Sequence, residues 1–128
     1  MLKRADDEYW QWVAGGGEGD ESPVEAARRE TEEETGFCGQ LYALSTKAYV
    51  PVDVFADHVH WPPDVYVIPE YAFAVESPHF GALLGHEHTE FRWVEYDEAV
   101  AMLHWQSNQV ALWELARRLQ RSDLHPVN

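Results

Sequence analysis

The order of helical and extended segments in this chain predicts a mixed α/β (α+β) domain. Three observations carry that expectation. A capped, uninterrupted helical stretch is expected at 23–35. Extended patterns occur at Trp10 to Val13, Leu41 to Val50, Val65 to Ser77 and Phe91 to Glu95, and two helical patterns follow from Asp97 onward. At 128 residues the chain suits one compact domain and is short for two, so a single domain over 1–128 is expected.

The helix at 23–35 is the best defined element. Ser22 can accept a hydrogen bond from a first-turn amide while Glu25 reaches back to the Ser22 amide. Pro23 falls where a helix tolerates proline, and Gly36 supplies a left-handed residue just past the end. At about 100° per residue, Glu30, Glu33 and Glu34 share one arc, flanked by a stripe of Val24, Thr31 and Thr35. Carboxylates spaced i to i+4 repel, and more strongly when partly desolvated, so Glu30 and Glu34 together call for a cation. A divalent metal would supply it. Taken alone, the helix could equally be a solvated face, because Glu25 to Arg29 and Arg29 to Glu33 are well-oriented i to i+4 pairs.

The order of the whole stretch weighs against that plain reading. Gly15, Glu21, Arg29, Glu30, Thr31, Glu33, Glu34, Gly36 and Phe37 stand at the offsets G-x5-E-x7-R-E-U-x-E-E-x-G-U, U being bulky or aliphatic. This pattern resembles the box of the Nudix hydrolases, with Thr31 the one soft match. The resemblance implies a mixed β-sheet sandwiched between helices. It makes Glu30 and Glu34 ligands of Mg2+ or Mn2+, and Glu33 a third carboxylate that either ligates or orients water. Arg29 would hold the carboxylates by hydrogen bonds, and Gly15, Gly16 and Glu21 would shape the substrate loop before the helix. The segment Glu87-His88-Thr89-Glu90-Phe91-Arg92-Trp93-Val94 is similar to the one before the last helix in many members. There the leading glutamate completes the metal site or acts as a base, a role that maps to Glu87, with Glu90 second.

In relatives of that family a longer stretch, including an antiparallel strand, precedes the box. Here the first nine residues are short and mostly polar, which implies a shortened N-terminal strand region or a sheet edge covered by a partner subunit. A two-fold homodimer is expected on that ground. Trp10 and Trp12 alternate with Gln11 and Val13 as in a half-buried strand, and Trp12 is also a candidate for stacking on a substrate.

After the helix, Leu41 to Val50 reads as a strand. The run Pro51 to Asp64 reads as a loop, and Val65 to Ser77 as a strand bent or interrupted at Pro69 with Tyr71, Phe73 and Val75 on one face. Ser77 to Gly85 reads as a turn-rich connection, and Phe91 to Glu95 as a strand packing Phe91 and Trp93 inward. His58 with His60, and His86 with His88, are spaced like metal-binding pairs but read better as surface or hydrogen-bonded histidines. A short helix is expected from Asp97 to about Leu103. Another, capped by Ser107, would bury Leu112, Leu115, Ala116 and Leu119, and the tail after Arg121 should fray.

Charge narrows the function classes. With 9 Lys plus Arg against 23 Asp plus Glu, the formal net charge is −14, which argues against a general nucleic-acid surface. The lone Cys38 excludes an internal disulfide framework and favours a reducing, cytoplasmic setting, and neither a signal peptide nor a membrane span is indicated. Trp105-Gln106-Ser107-Asn108 and the lead-in YWQWVAGG are similar to the branch that includes dATP and dihydroneopterin triphosphate pyrophosphohydrolases. That similarity points to a nucleoside or pterin polyphosphate as substrate and to Trp12 and Trp105 as head-group contacts. Such a substrate needs metal ions to bridge its phosphates to the carboxylates. A hydrolase of ADP-ribose or another nucleoside diphosphate derivative, a non-catalytic nucleotide-binding module and an acidic structural partner are the competing readings.

Overall fold

The computed structural model describes residues 1–6, 8–77 and 84–127. In chain order the elements are β1 (Leu2–Arg4), β2 (Trp10–Gln11), α1 (Pro23–Thr35), β3 (Leu41–Pro51), β4 (Val67–Val75), β5 (His88–Phe91), α2 (Tyr96–Met102), α3 (Gln106–Arg121) and β6 (His125–Val127). The strands form two antiparallel sheets of three, ordered β2-β1-β5 and β4-β3-β6. An isolated parallel bridge joins Trp10 to Leu103. Helix α3 packs on β3 and α2 on α3, while α1 lies against β4.

Helix α1 occupies the predicted span with the predicted caps. The Ser22 hydroxyl accepts from the Glu25 amide at 3.2 Å, and the Glu25 carboxylate accepts from the Ser22 amide at 2.8 Å. Gly36 ends the helix at φ 78°, and its amide donates to the Glu32 carbonyl. Thr31 and Thr35 turn their hydroxyls back onto the carbonyls of Ala27 and Thr31, which allows these polar residues to be buried.

The N-terminal residues depart from expectation. The stretch read as a polar lead contains β1, and this short strand is the centre of its sheet, paired with β2 through Leu2↔Gln11 and with β5 through Leu2↔Phe91 and Arg4↔His88. Leu2 is buried, and pairing on both sides satisfies backbone groups that sequence alone gave no partner. The phase of β2 is also reversed. Gln11 is the buried residue and Trp10 and Trp12 are half-buried, because the Gln11 side chain meets the buried His88 ring, Nε2 to Nε2, at 3.3 Å. Burial first, and the charge of Arg4 second, hold His88 below its ordinary pKa, so a neutral ring can accept from the amide.

Strand β4 runs unbroken through Pro69, which pairs with Tyr49. The strand lies at the edge of its sheet, where a residue without an N–H can face outward. Strand β5 begins earlier than expected and turns His88 inward, leaving Phe91 and Trp93 exposed. Residues 78–83 of the expected turn-rich connection lie outside the described residues. The C-terminal tail does not fray. It forms β6 against the start of β3, with Leu41↔Val127, and the Gln40 side chain donates to the Val127 carbonyl at 2.8 Å.

Helix α3 starts before Ser107, with Trp105 at the N-cap and no side-chain cap. Its buried position is Ala111, and Leu119 is exposed. The face that meets β3 is held instead by a polar clasp. The β3–β4 register shifts between Ala43 and Lys47, and the amides freed at Ser45 and Thr46 donate to the Glu114 carboxylate. The Thr46 hydroxyl donates to it as well, and Arg118 Nε does so at 2.9 Å. Burial pushes Glu114 up, but these hydrogen bonds together bring it down to about 2.

Glu114 thus contributes stability that is full above the ordinary carboxylate pKa and is lost as pH falls toward about 2. Replacing Glu114 by Ala should lower the unfolding free energy at neutral pH by about 3 kcal/mol, because it orphans two bulge amides and the Arg118 Nε–H. Urea denaturation will measure the loss.

Candidate active site

The loop before α1 is tied to the helix by one arginine. Arg29 Nε and Nη2 grip both Glu21 oxygens at 2.7 and 3.0 Å, and Nη2 also donates to the Gly16 carbonyl at 2.9 Å. Its Nη1 donates to Glu30 at 2.7 Å and to Glu33 at 3.2 Å. A guanidinium has five N–H bonds, so every donor of Arg29 is engaged. The hydrogen bond from Arg29 pulls Glu21 below the usual carboxylate range, and the Glu21 carboxylate in turn accepts from the Glu18 amide at 2.8 Å. Of the two helical partners that spacing offered Arg29, it bonds to Glu33, while Glu25 turns to the Ser22 amide. The fold adds Glu21, Gly16 and Glu30.

Glu30 and Glu34 sit one turn apart and differ sharply from Glu33. The Glu33 side chain is 58% exposed and that of Glu30 16%. Glu34 is only 5% exposed, and neither of its oxygens has a hydrogen-bond partner among the described residues. Burial is the largest influence on Glu34 and Glu30 the next, and together they push its carboxyl up to about 8. The Ala14 amide, which approaches the carboxylate without reaching hydrogen-bond geometry, and the charge of Arg4 oppose the rise, and Glu87 adds to it. Gly15 is packed so closely on Glu30 that a Cβ there would stand 2.0 Å from Glu30 Cδ. Glycine at this position therefore lets the loop backbone lie on the carboxylate.

The Glu87 segment reaches the same end of α1 through the first sheet. The Ala5 amide donates to the Glu87 carbonyl at 2.9 Å, and β5 continues from His88 opposite Arg4. Gly85 lies against the backbone of α1, its Cβ position 3.5 Å from the Glu33 carbonyl oxygen. Glu87 is exposed, and its field reaches both Glu34 and Arg4.

Trp12 and Trp105 both meet the N-terminal end of α3. The Trp12 indole N–H donates to the Asn108 carbonyl at 3.3 Å, and the Trp12 amide approaches Asn108 Oδ1 at 3.5 Å. Trp105 is 41% exposed and stands edge-on to Tyr9 and His104, with ring centroids 5.7 and 4.7 Å away.

A hard divalent cation fits this donor set. A buried, unpartnered carboxylate beside a second one has lost its hydration without gaining a counter-charge, and oxygen ligands suit Mg2+ or Mn2+. Among the described residues no group of three or more His, Cys, Asp or Glu side chains stands together as a metal site, so the protein's own share here is the Glu30 and Glu34 pair. Mg2+ commonly completes an open shell with water and substrate phosphates.

The family model for the NUDIX domain matches residues 1–113. The chain belongs to the NUDIX family. It is 31% identical over 117 residues to the dihydroneopterin triphosphate diphosphatase of Escherichia coli K12, an alignment covering 88% of this chain and 78% of that protein. A crystal structure from Listeria monocytogenes, of a protein assigned to the NUDIX hydrolases, superposes with a TM-score of 0.85 at 38% identity, covering 98% of this chain and 86% of the other. The E. coli dihydroneopterin triphosphate pyrophosphohydrolase structure superposes with a TM-score of 0.72 at 28% identity, over 88% and 80% of the two chains. The chain is therefore a NUDIX hydrolase by family, with homologues that act on phosphoric anhydride bonds.

On this NUDIX scaffold the fold ties Gly15, Gly16, Glu21, Arg29 and Glu30 into one connected unit, with Glu33 on its solvent side and Glu34 and Glu87 in electrostatic reach. Two residues of this region escaped sequence reasoning. Arg4 lies in a segment read as a polar lead, and no local pattern signals it. Asn108 belonged to a quoted motif, but its grip on Trp12 spans most of the chain.

Between the ordinary carboxylate pKa and about 8, folded Glu34 holds a proton that the unfolded chain has released. Without divalent metal, the contribution of Glu34 to stability should thus fall as pH rises through that window. Mg2+ binding displaces the proton, so the melting-temperature gain from Mg2+ should grow with pH over the same range. Thermal denaturation across pH should show both trends, and Glu34→Gln should flatten both. Gly15→Ala should force Glu30 aside and weaken Mg2+ binding about tenfold, comparable to loss of a supporting contact. The midpoint of a Mg2+ thermal-shift titration will report it.

Proposed function

We propose that this NUDIX domain is a Mg2+- or Mn2+-dependent pyrophosphohydrolase of a nucleoside or pterin polyphosphate, of the dATP or dihydroneopterin triphosphate type. The observation that carries the reading is the buried Glu34 carboxylate beside Glu30, without a counter-ion of its own. Likeness to the E. coli dihydroneopterin triphosphate diphosphatase supports the choice of substrate class. The lone Cys38 favours a reducing compartment, the cytoplasm, as its place of work.

In this reading Glu30 and Glu34 are the principal metal ligands, with Glu33 and Glu87 nearer to solvent as further ligands. Bound divalent ions would neutralise phosphate oxygens and polarise the anhydride for in-line attack by water. Arg29 keeps Glu30 and Glu33 in place and ties them to Glu21 and to the Gly15-Gly16 backbone, so the loop and the carboxylates move as one body. Either Glu33 or Glu87 accepts the proton released by the attacking water at its carboxylate oxygen. Trp12, braced by Asn108, and Trp105 present aromatic faces suited to a bicyclic head group. The products are a monophosphate and pyrophosphate.

Hydrolysis of a panel spanning dATP, dihydroneopterin triphosphate, ADP-ribose and nucleotide sugars, with product identification, tests the reading. Pyrophosphate should appear from the triphosphates only when Mg2+ or Mn2+ is present. Glu34→Gln should lower kcat at least about a hundredfold, since losing a direct ligand costs no less than losing its support. Turnover confined to ADP-ribose or nucleotide sugars would move the assignment to diphosphate derivatives. Calorimetric binding without turnover would make the domain a sensor.

A further inference from the structure

We propose that Arg4 is a substrate-contacting residue that binds the phosphate chain of the substrate opposite the Glu30 and Glu34 carboxylates. The inference rests on the polyphosphate reading above and adds a residue to it.

An anionic chain entering a site built of glutamates needs protein cations as well as metal, and the chain as a whole offers few, at a formal net charge of −14. Arg29 of the box is not available. Each of its five N–H bonds is spent on Glu21, Glu30, Glu33 or the Gly16 carbonyl. Arg4 differs in this respect. Its Nε and Nη2 donate to the two oxygens of Asp6 at 2.7 and 2.6 Å, which fixes the plane of the fork. Among the described residues its remaining three N–H bonds meet no acceptor, so a bidentate face is left for a phosphate.

Position supports the role. Arg4 pairs with His88 across the β1–β5 ladder, next to Glu87, and the Ala5 amide holds the Glu87 carbonyl. The charge of Arg4 acts on Glu34 and that of Glu87 acts on Arg4, so the guanidinium stands within electrostatic reach of both carboxylates. The Arg4 side chain is 27% exposed, so it is within reach of solvent and of a ligand.

The probe is imidodiphosphate, a phosphate chain without a head group that resists hydrolysis, titrated calorimetrically with Mg2+ present. Wild type should bind it, and Arg4→Gln should bind at least about tenfold more weakly, as loss of a charged hydrogen-bond donor predicts. Arg4→Lys keeps the charge but not the fork, and should fall between the two. Mg2+ alone, followed by thermal shift, should bind Arg4→Gln no more weakly than wild type, because a repelling cation has been removed. Equal imidodiphosphate affinity in wild type and both variants would overturn the role of Arg4 and leave the hydrolase reading intact. So would a parallel loss of fold and of Mg2+ response in Arg4→Gln together with wild-type affinity in Arg4→Lys. Failure of wild type to bind imidodiphosphate and to hydrolyse any triphosphate would instead remove the polyphosphate reading, and this proposal with it.

Discussion

A carboxylate removed from water with nothing to neutralise it is the constraint around which this molecule is arranged. Glu34 is buried at the end of α1 next to Glu30, and an isolated pair of charges in that position is unfavourable unless a proton or a cation intervenes. The surroundings prevent the usual relief. The Gly15 backbone lies on Glu30, and Arg29 pins Glu30 by a hydrogen bond. Relaxing the strain by swinging Glu34 outward would mean dismantling the buried face that Thr31 and Thr35 share with it.

Local chemistry explains why the helix can carry this load. Its N-terminus is closed by reciprocal hydrogen bonds between Ser22 and Glu25, and its C-terminus by the left-handed Gly36, so neither end frays. Arg29 then converts the preceding loop from a flexible glycine run into a fixed wall by joining Glu21 and Gly16 to the helix. One guanidinium thus sets the position of three carboxylates and a loop backbone.

Remote packing provides the second half of the site. Glu87 and Arg4 are far apart in sequence and become neighbours through the β1–β5 ladder, which also buries His88 against Gln11. The other sheet is braced separately, by Glu114 and Arg118 of α3 closing the irregularity in β3. The two sheets thus divide the labour. The first brings Arg4 and Glu87 together, and the second anchors the long helix.

What could be read from the chain by itself was whatever depends on neighbours within about one turn of helix: the limits and caps of α1, the shared edge of Glu30 and Glu34, the length of β3 and the box spacing that placed the chain in its family. What only the tertiary structure decided were matters of pairing and burial. Pro69 is tolerated because β4 is an edge strand, the first residues become a central strand because β2 and β5 flank them, and the tail is ordered because β3 has a side to offer. Gln11 rather than its tryptophan neighbours turns inward because His88 waits for it. The division has a physical reason. Capping and helical repetition act between residues close along the chain, whereas strand partners, and the choice of which polar group is buried, are set by contacts whose two halves lie far apart in sequence.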